Sequence, residues 1–198
     1  VHIFRSDLSA VRVAASNDET RYNLNSVRVE TDGTLVATDG HRMHTVEPAA
    51  TRNCDDAAPA EAFSIELASA DAMLKRLPRK SKKAPEPRGA ELDIDETNAN
   101  GHAKFAMPDG DSLTAPKVTG YGDYPDWRQV IPKEEPTVTV RLNAVYLEQL
   151  AKAAREHCAG DENVSLELSL FDELSPIRAT SENSRGDVLR VVLMPMRR

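Results

Sequence analysis

Residues Arg21 to Met43 read RYNLNSVRVETDGTLVATDGHRM, and this stretch decides the fold. Leu24, Val27 and Val29 alternate with polar positions, Thr31-Asp32-Gly33 supplies a turn, and Leu35-Val36-Ala37 begins a second extended run. Alternation on both sides of an Asp-Gly turn predicts a β-hairpin. The second strand runs out at Thr38-Asp39-Gly40-His41-Arg42-Met43, where another Asp-Gly reverses the chain and leaves an imidazole, a guanidinium and a thioether beside apolar strands. Two readings of that turn stay open from the residues alone. Asp39 and His41, with His44 close by, form an acid/base or metal pair, or the polar groups satisfy one another within a turn. No second His or Cys stands at ligand spacing and no nucleophile motif is near, which favours the turn.

Upstream of the hairpin, His2-Ile3-Phe4 is a short extended start. RSDLSAVRVAAS, from Arg5 to Ser16, then carries Leu8, Val11 and Ala15 at helical spacing, with Ser6 as the expected N-cap. Downstream, a strand through His44-Thr45-Val46 is ended by Pro48, and Ala49 to Ala62 is a small-residue, acidic, proline-containing connector. The order so far is strand, helix, then three strands.

The same order recurs. Phe63 to Leu67 alternates, Ser69 to Leu77 (SADAMLKRL) is a helix with a capping Ser, and Pro78 stops it before the charged loop RKSKKAPEPR. Ala90 to Asp95, His102 to Met107 and Ser112 to Val118 are three further strands, with Asn100-Gly101 and Asp109-Gly110 as turns. After a junction from Tyr121 to Lys133, Thr137-Val138-Thr139-Val140 is a strand, and Asn143 caps a helix from Ala144 to Cys158 that Gly160 ends. Val164 to Leu170, Pro176 to Thr180 and Val188 to Met194 complete a third round. A pattern seen three times fixes an α+β repeat architecture.

Three segments of this chain, taken in order, resemble one family. RYNLN and VATDGHRM are similar to RYYLN and ATDGHRL in the second domain of the bacterial DNA polymerase sliding clamp, the β subunit of the replicative holoenzyme. YPDWRQVIP, from Tyr124 to Pro132, resembles its FPDYRRVLP junction, and VVLMPMR, from Val191 to Arg197, resembles its closing VVMPMR. The resemblance implies a DNA clamp fold of βαβββ units, with sheets outside and helices inside a ring. Six such units make the bacterial chain; here the first domain and the first half of the third have no counterpart. The expected domains are therefore 1–133, a pair of units, and 134–198, a single unit.

The resemblance also implies two kinds of binding. Partner proteins such as DNA polymerase, clamp loader and repair proteins insert a short Gln- and Leu/Phe-containing peptide into an apolar pocket, which here maps to Leu24, Thr38, Gly40, His41, Arg42, Met43, Pro125, Val130, Val192, Met194 and Met196. Leucine is replaced by Met43, a more pliable side chain of similar volume, and arginine by Gln129. Double-stranded DNA is held without sequence preference by basic residues on the inner helices. Arg5 and Arg12 lie on the first helix, Lys75, Arg76, Arg79, Lys80, Lys82 and Lys83 on or just after the second, and Arg141, Lys152 and Arg155 on the third. A solvated helix face carries Lys and Arg in any case; only the second helix is unusually basic. Tyr22 matches an aromatic contact near the face of the ring, although Asn23 replaces the neighbouring family Tyr, and packing of Tyr22 on the hairpin is the alternative.

Composition sets the bounds. The chain has 198 residues, 40% of them hydrophobic, enough for a real core. Its formal charge of -7 argues against nucleic acid unless the positive charge is gathered on one face, and Asp55, Asp56, Glu91, Asp93, Asp95, Glu96, Asp161, Glu162, Asp172 and Glu173 do crowd the connectors and strands. Cys54 and Cys158 have no Cys-x-x-Cys spacing and are expected as free thiols. No run of about eighteen apolar residues exists and the chain starts on a polar segment, so the expectation is a cytoplasmic protein. No catalysis, cofactor or metal is expected. The leading function is a processivity clamp, assembled as a homo-oligomer in which chains of three units close a ring as a tetramer. A non-encircling adaptor or decoy that binds the same peptides is the alternative.

Overall fold

In the computed structural model, residues 1–49, 59–79, 89–93, 101–120 and 122–196 are described. The chain divides into two compact units, Val1–Arg128 and Gln129–Arg198. The first unit contains β1 (His2–Ile3), α1 (Arg5–Arg12), β2 (Ser26–Val29), β3 (Leu35–Thr38), β4 (Met43–Val46), β5 (Phe63–Glu66), α2 (Leu67–Arg76), β6 (Ala90–Asp93), β7 (His102–Ala106) and β8 (Ser112–Pro116). A short 3-10 helix, Trp127–Val130, precedes α3 (Ala144–His157), β9 (Glu167–Ser169), β10 (Ile177–Glu182) and β11 (Val188–Leu193).

The hairpin forms as its alternation predicts. Val29 pairs with Leu35 across a turn that puts Gly33 at φ 82°, a conformation an L side chain resists. Each half of the first unit then lends its leading strand to the other. The two sheets run β4-β3-β2-β5 and β1-β6-β7-β8, so β5 completes the first half's sheet and β1 the second's. Arg28 stands opposite Ser64 in one exchange and His2 opposite Glu91 in the other, both antiparallel. Over these sheets α1 and α2 pack side by side, with Leu8, Val11, Ala70 and Met73 fully buried. Full burial of each larger side chain stabilises the unit by roughly 1.5–3 kcal/mol.

Both expected serine caps are corrected. Helix α1 starts directly after β1 with Phe4 at the N-cap, and Ser6 lies inside the first turn, its hydroxyl donating to Asp7 at 2.9 Å. Helix α2 starts at Leu67 with Glu66 as N-cap, which puts Ser69 inside as well. The strand-to-helix step is too short to leave room for a capping turn. Asn143 does cap α3, accepting from the Val145 N–H at 2.9 Å.

The second unit holds one helix over the three-stranded sheet β11-β10-β9. Its core is Leu150, Ile177, Ala179 and Leu193, with Val140, Leu142 and Val191 packed against it. The expected strand at Thr137–Val140 is a further correction, because no strand is formed there. In the first unit a leading strand is held by a sheet of the opposite half, and Gln129–Arg198 contains no second half. Strand β9 is also shorter than the expected Val164–Leu170. Cys158 is a buried free thiol, and Cys54 lies outside the described residues. No helix among the described residues is long and apolar enough to cross a membrane.

Candidate peptide and DNA contact sites

The turn after β3 is built from its own polar groups. The Thr38 hydroxyl donates to the Arg42 carbonyl at 2.7 Å and accepts from the Gly40 N–H at 3.0 Å. Asp39 accepts from the N–H groups of His41 and Arg42 at 2.9 and 3.0 Å, and its second oxygen pairs with the Arg42 guanidinium at 3.2 Å. These donors hold the Asp39 carboxyl below its ordinary range, the backbone N–H of His41 first among them. Gly40 takes φ 90°, as the reversal requires. A carboxylate so engaged orders the loop, and its lone pairs are not aimed at a ligand. His44 bonds the Ala10 carbonyl through Nδ1 at 2.6 Å, tying β4 to α1. Among the described residues no three His, Cys, Asp or Glu are grouped to hold a metal.

What the turn leaves on the surface is Gly40, His41 and Arg42, with Leu24 and Met43 half-buried beside buried Thr38. Arg42 also donates to the Val13 carbonyl at 2.9 Å, which fixes its stem against the end of α1. Pro125 is exposed within a segment clamped onto the hairpin. The Tyr124 hydroxyl donates to Val36 at 3.4 Å, its ring lies under Arg28, and burial pushes its phenol upward. Trp127 donates its indole N–H to the buried Glu30 carboxylate at 2.9 Å. Arg28 and Arg128 also reach Glu30, at 3.2 and 3.6 Å, and Arg128 stacks over the Trp127 ring. Trp127 and Glu30 were not among the sequence-derived site residues, because their partnership joins positions far apart in the chain.

In the second unit, a groove of about 360 Å³ runs between α3 and β11. Tyr146, Gln149, Leu150 and Ala153 line it from the helix, Val192 and Met194 from the strand side. It therefore brings together two of the expected pocket residues, and Val192 and Met194 are 63% and 66% exposed, so their apolar surface is available. Met196 and Val130 are exposed but are not among the groove's lining residues. The four helix residues were missed by sequence reading, although their spacing of three and four marks a helix face.

The basic residues are less free than their sequence positions imply. Arg12 forms a two-point ion pair with Asp71 at 2.7 and 2.9 Å, bracing α1 against α2. Arg76 does the same with Asp109 at 2.9 and 2.7 Å, and Asp111 lies 3.7 Å away. Arg5 donates to the Leu77 carbonyl, and Lys152 pairs with Glu156 along α3. Lys75, Arg79, Arg141 and Arg155 are exposed, as is Tyr22 at 51%. Lys80, Lys82 and Lys83 lie outside the described residues.

No protein-family model and no curated protein sequence matches the chain. Solved structures do. The β subunit of DNA polymerase from Streptococcus pyogenes superposes with a TM-score of 0.74 over 98% of this chain at 18% identity. The fold is that of the β sliding clamp. The Caulobacter crescentus β sliding clamp gives a TM-score of 0.70 over 98% of the chain at 20% identity, and the Bacillus subtilis sliding clamp 0.70 over 96% at 19%. The chain spans about half the length of these clamps, 48%, 50% and 46% respectively.

Proposed function

We propose that this protein is a clamp-type tether, a non-enzymatic processivity factor that encircles duplex DNA and holds polymerase, loader or repair proteins by a short Leu- or Phe-bearing peptide. The observation that carries it is the apolar groove of the second unit, lined by Tyr146, Leu150 and Met194, where Met194 stays exposed. Apolar side chains left in water beside a concavity are what a peptide anchor buries, and a Met supplies a surface that adapts to several partners. The first unit would contribute Leu24, Thr38, Gly40, His41, Arg42, Met43 and Pro125 to peptide contact, and the second adds Val130 and Met196.

DNA contact in this proposal is electrostatic and blind to sequence, through Lys75, Arg79, Arg141 and Arg155, with Arg5, Lys152 and the Lys80–Lys83 segment adding charge and Tyr22 a stacking surface. Arg12 and Arg76 serve it less, since their charge is matched by Asp71 and by Asp109. Closure of a ring in this reading takes more than one copy of the chain.

Two measurements test this. Titration of a clamp-binding peptide should saturate, and Met194→Ala should weaken it. Protein loaded on DNA should stay on closed circles and leave linear molecules by their ends. Equal loss from both forms, with peptide binding intact, would establish the adaptor reading instead.

A further inference from the structure

The second unit lacks something that the first supplies to itself. Leu147 is the fourth residue of α3, as Leu8 is of α1 and Ala70 of α2. Leu8 and Ala70 are 0% exposed, and Leu147 is 41% exposed. The first strand after each helix tells the same story. Val27, Val29 and Leu92 are buried to 3% or less, whereas Leu168, which pairs with buried Ala179 and so shares its face, is 44% exposed. Leu166 and Leu170, two residues to either side, are 37% and 44% exposed.

The leading strand is affected too. Ser64 lies three residues before α2 and Arg141 three before α3. Their carbonyls accept equivalent bonds from the end of their own unit, Val118 N–H to Ser64 and Met196 N–H to Arg141, both at 2.8 Å. On its other side Ser64 is paired with Arg28 of β2, the first strand of the opposite half. Val140–Asn143, the counterpart of β5, is in no strand and has no such partner, and β9, the counterpart of β2, is the open edge of its sheet.

We infer that this face is closed by a second copy of the chain: two Gln129–Arg198 units exchange their Val140–Asn143 segments, each adding a fourth strand to the other's β9 edge, while the α3 helices pack side by side over Leu147 and Leu168. The contact is isologous, since each copy offers the strand and the edge that its mate needs. Four partly exposed leucines, Phe171 and a four-residue strand would bury on the order of 800 Å² per copy, the size of a standard stable interface. The first unit is the template, its two halves closing by this exchange within one chain. The inference rests on that repeat architecture, and it deepens the homo-oligomer of the proposed function without depending on DNA or peptide binding.

Sedimentation of the whole chain at micromolar concentration should show a dimer or a multiple of it, with slow amide exchange at Val140 to Asn143. Leu168→Asp should weaken association by about a hundredfold, because a carboxylate would be buried in an apolar seam. It should also release those amides. Val188→Asp, on the opposite face of the sheet, should leave both unchanged. Leu147→Glu repeats the test from the helix. A wild-type monomer overturns the inference, as does an oligomer that survives both seam variants with fast exchange at Val140 to Asn143. An oligomer that leaves circular DNA as fast as linear removes encirclement but keeps this interface. A monomer that still captures the peptide does the reverse.

Discussion

The two units are made of the same repeat, yet one is closed and the other open. Among the described residues the first gathers twenty-two buried apolar side chains in one cluster and the second only four. The difference does not lie in the quality of the repeats, since α3 is the longest of the three described helices and the best capped. It lies in the mate. A βαβββ unit presents an apolar helix flank and an unpaired sheet edge, and both are satisfied only by another unit set against it. Stability in this fold therefore belongs to pairs.

Truncation should expose that contrast most strongly. Leu8→Ala empties a filled seam and should cost about 2–5 kcal/mol in urea unfolding of the first unit. Leu147→Ala, at the same helix position, should cost the isolated chain under about 1 kcal/mol, because the side chain has less contact to lose. Equal costs in the dissociated chain would mean that Leu147 is covered within its own chain and would break the comparison. Next comes the clamped junction. Trp127→Phe keeps the ring and deletes the N–H that reaches Glu30, leaving a buried carboxylate short of a donor, and should lower first-unit stability by about 1–3 kcal/mol.

Binding sharpens the comparison from the other side. Met194→Ala should weaken peptide capture about tenfold in a fluorescence titration, the loss expected of an anchor contact. Met43→Ala should weaken it less, since Met43 is half-buried within its own unit. The reverse order would move the main anchor to the hairpin. The smallest effect is in acid. The hydrogen bond and charge of Arg12 hold the Asp71 carboxyl below its ordinary value of 3.8, so the pair's contribution is complete above that pH and is lost as pH falls through the lower folded value. Solvent reaches both partners, so a circular-dichroism melt below pH 4 should show only a slight excess loss in wild type over Asp71→Asn.

Much of this was legible in the chain. Val27, Val29 and the Asp32-Gly33 turn announce the hairpin, and the recurrence of strand, helix and three strands announces the repeat. What stayed hidden depended on partners distant in sequence. The indole of Trp127 has meaning only once Glu30 is beside it, and no local pattern links them. Thr137-Val138-Thr139-Val140 has the alternation of a strand, but a strand needs an edge to bond, and the edge that serves β5 comes from the opposite half. Arg12 and Arg76 read as free cations until Asp71 and Asp109 are seen across from them. Tyr146 and Gln149 read as solvated helix, because the groove they line is completed by β11.

The crossing of β1 carries a consequence for biosynthesis. His2 is translated well before its sheet partner, Glu91. A nascent chain can form α1 and the β2-β3-β4 meander early, yet β1 stays unpaired until β6 has been translated, and such a long-range closure is slow. Arrest of synthesis before Asp93 should leave β1 accessible to protease and chaperones, and release beyond it should seal β1 into the sheet.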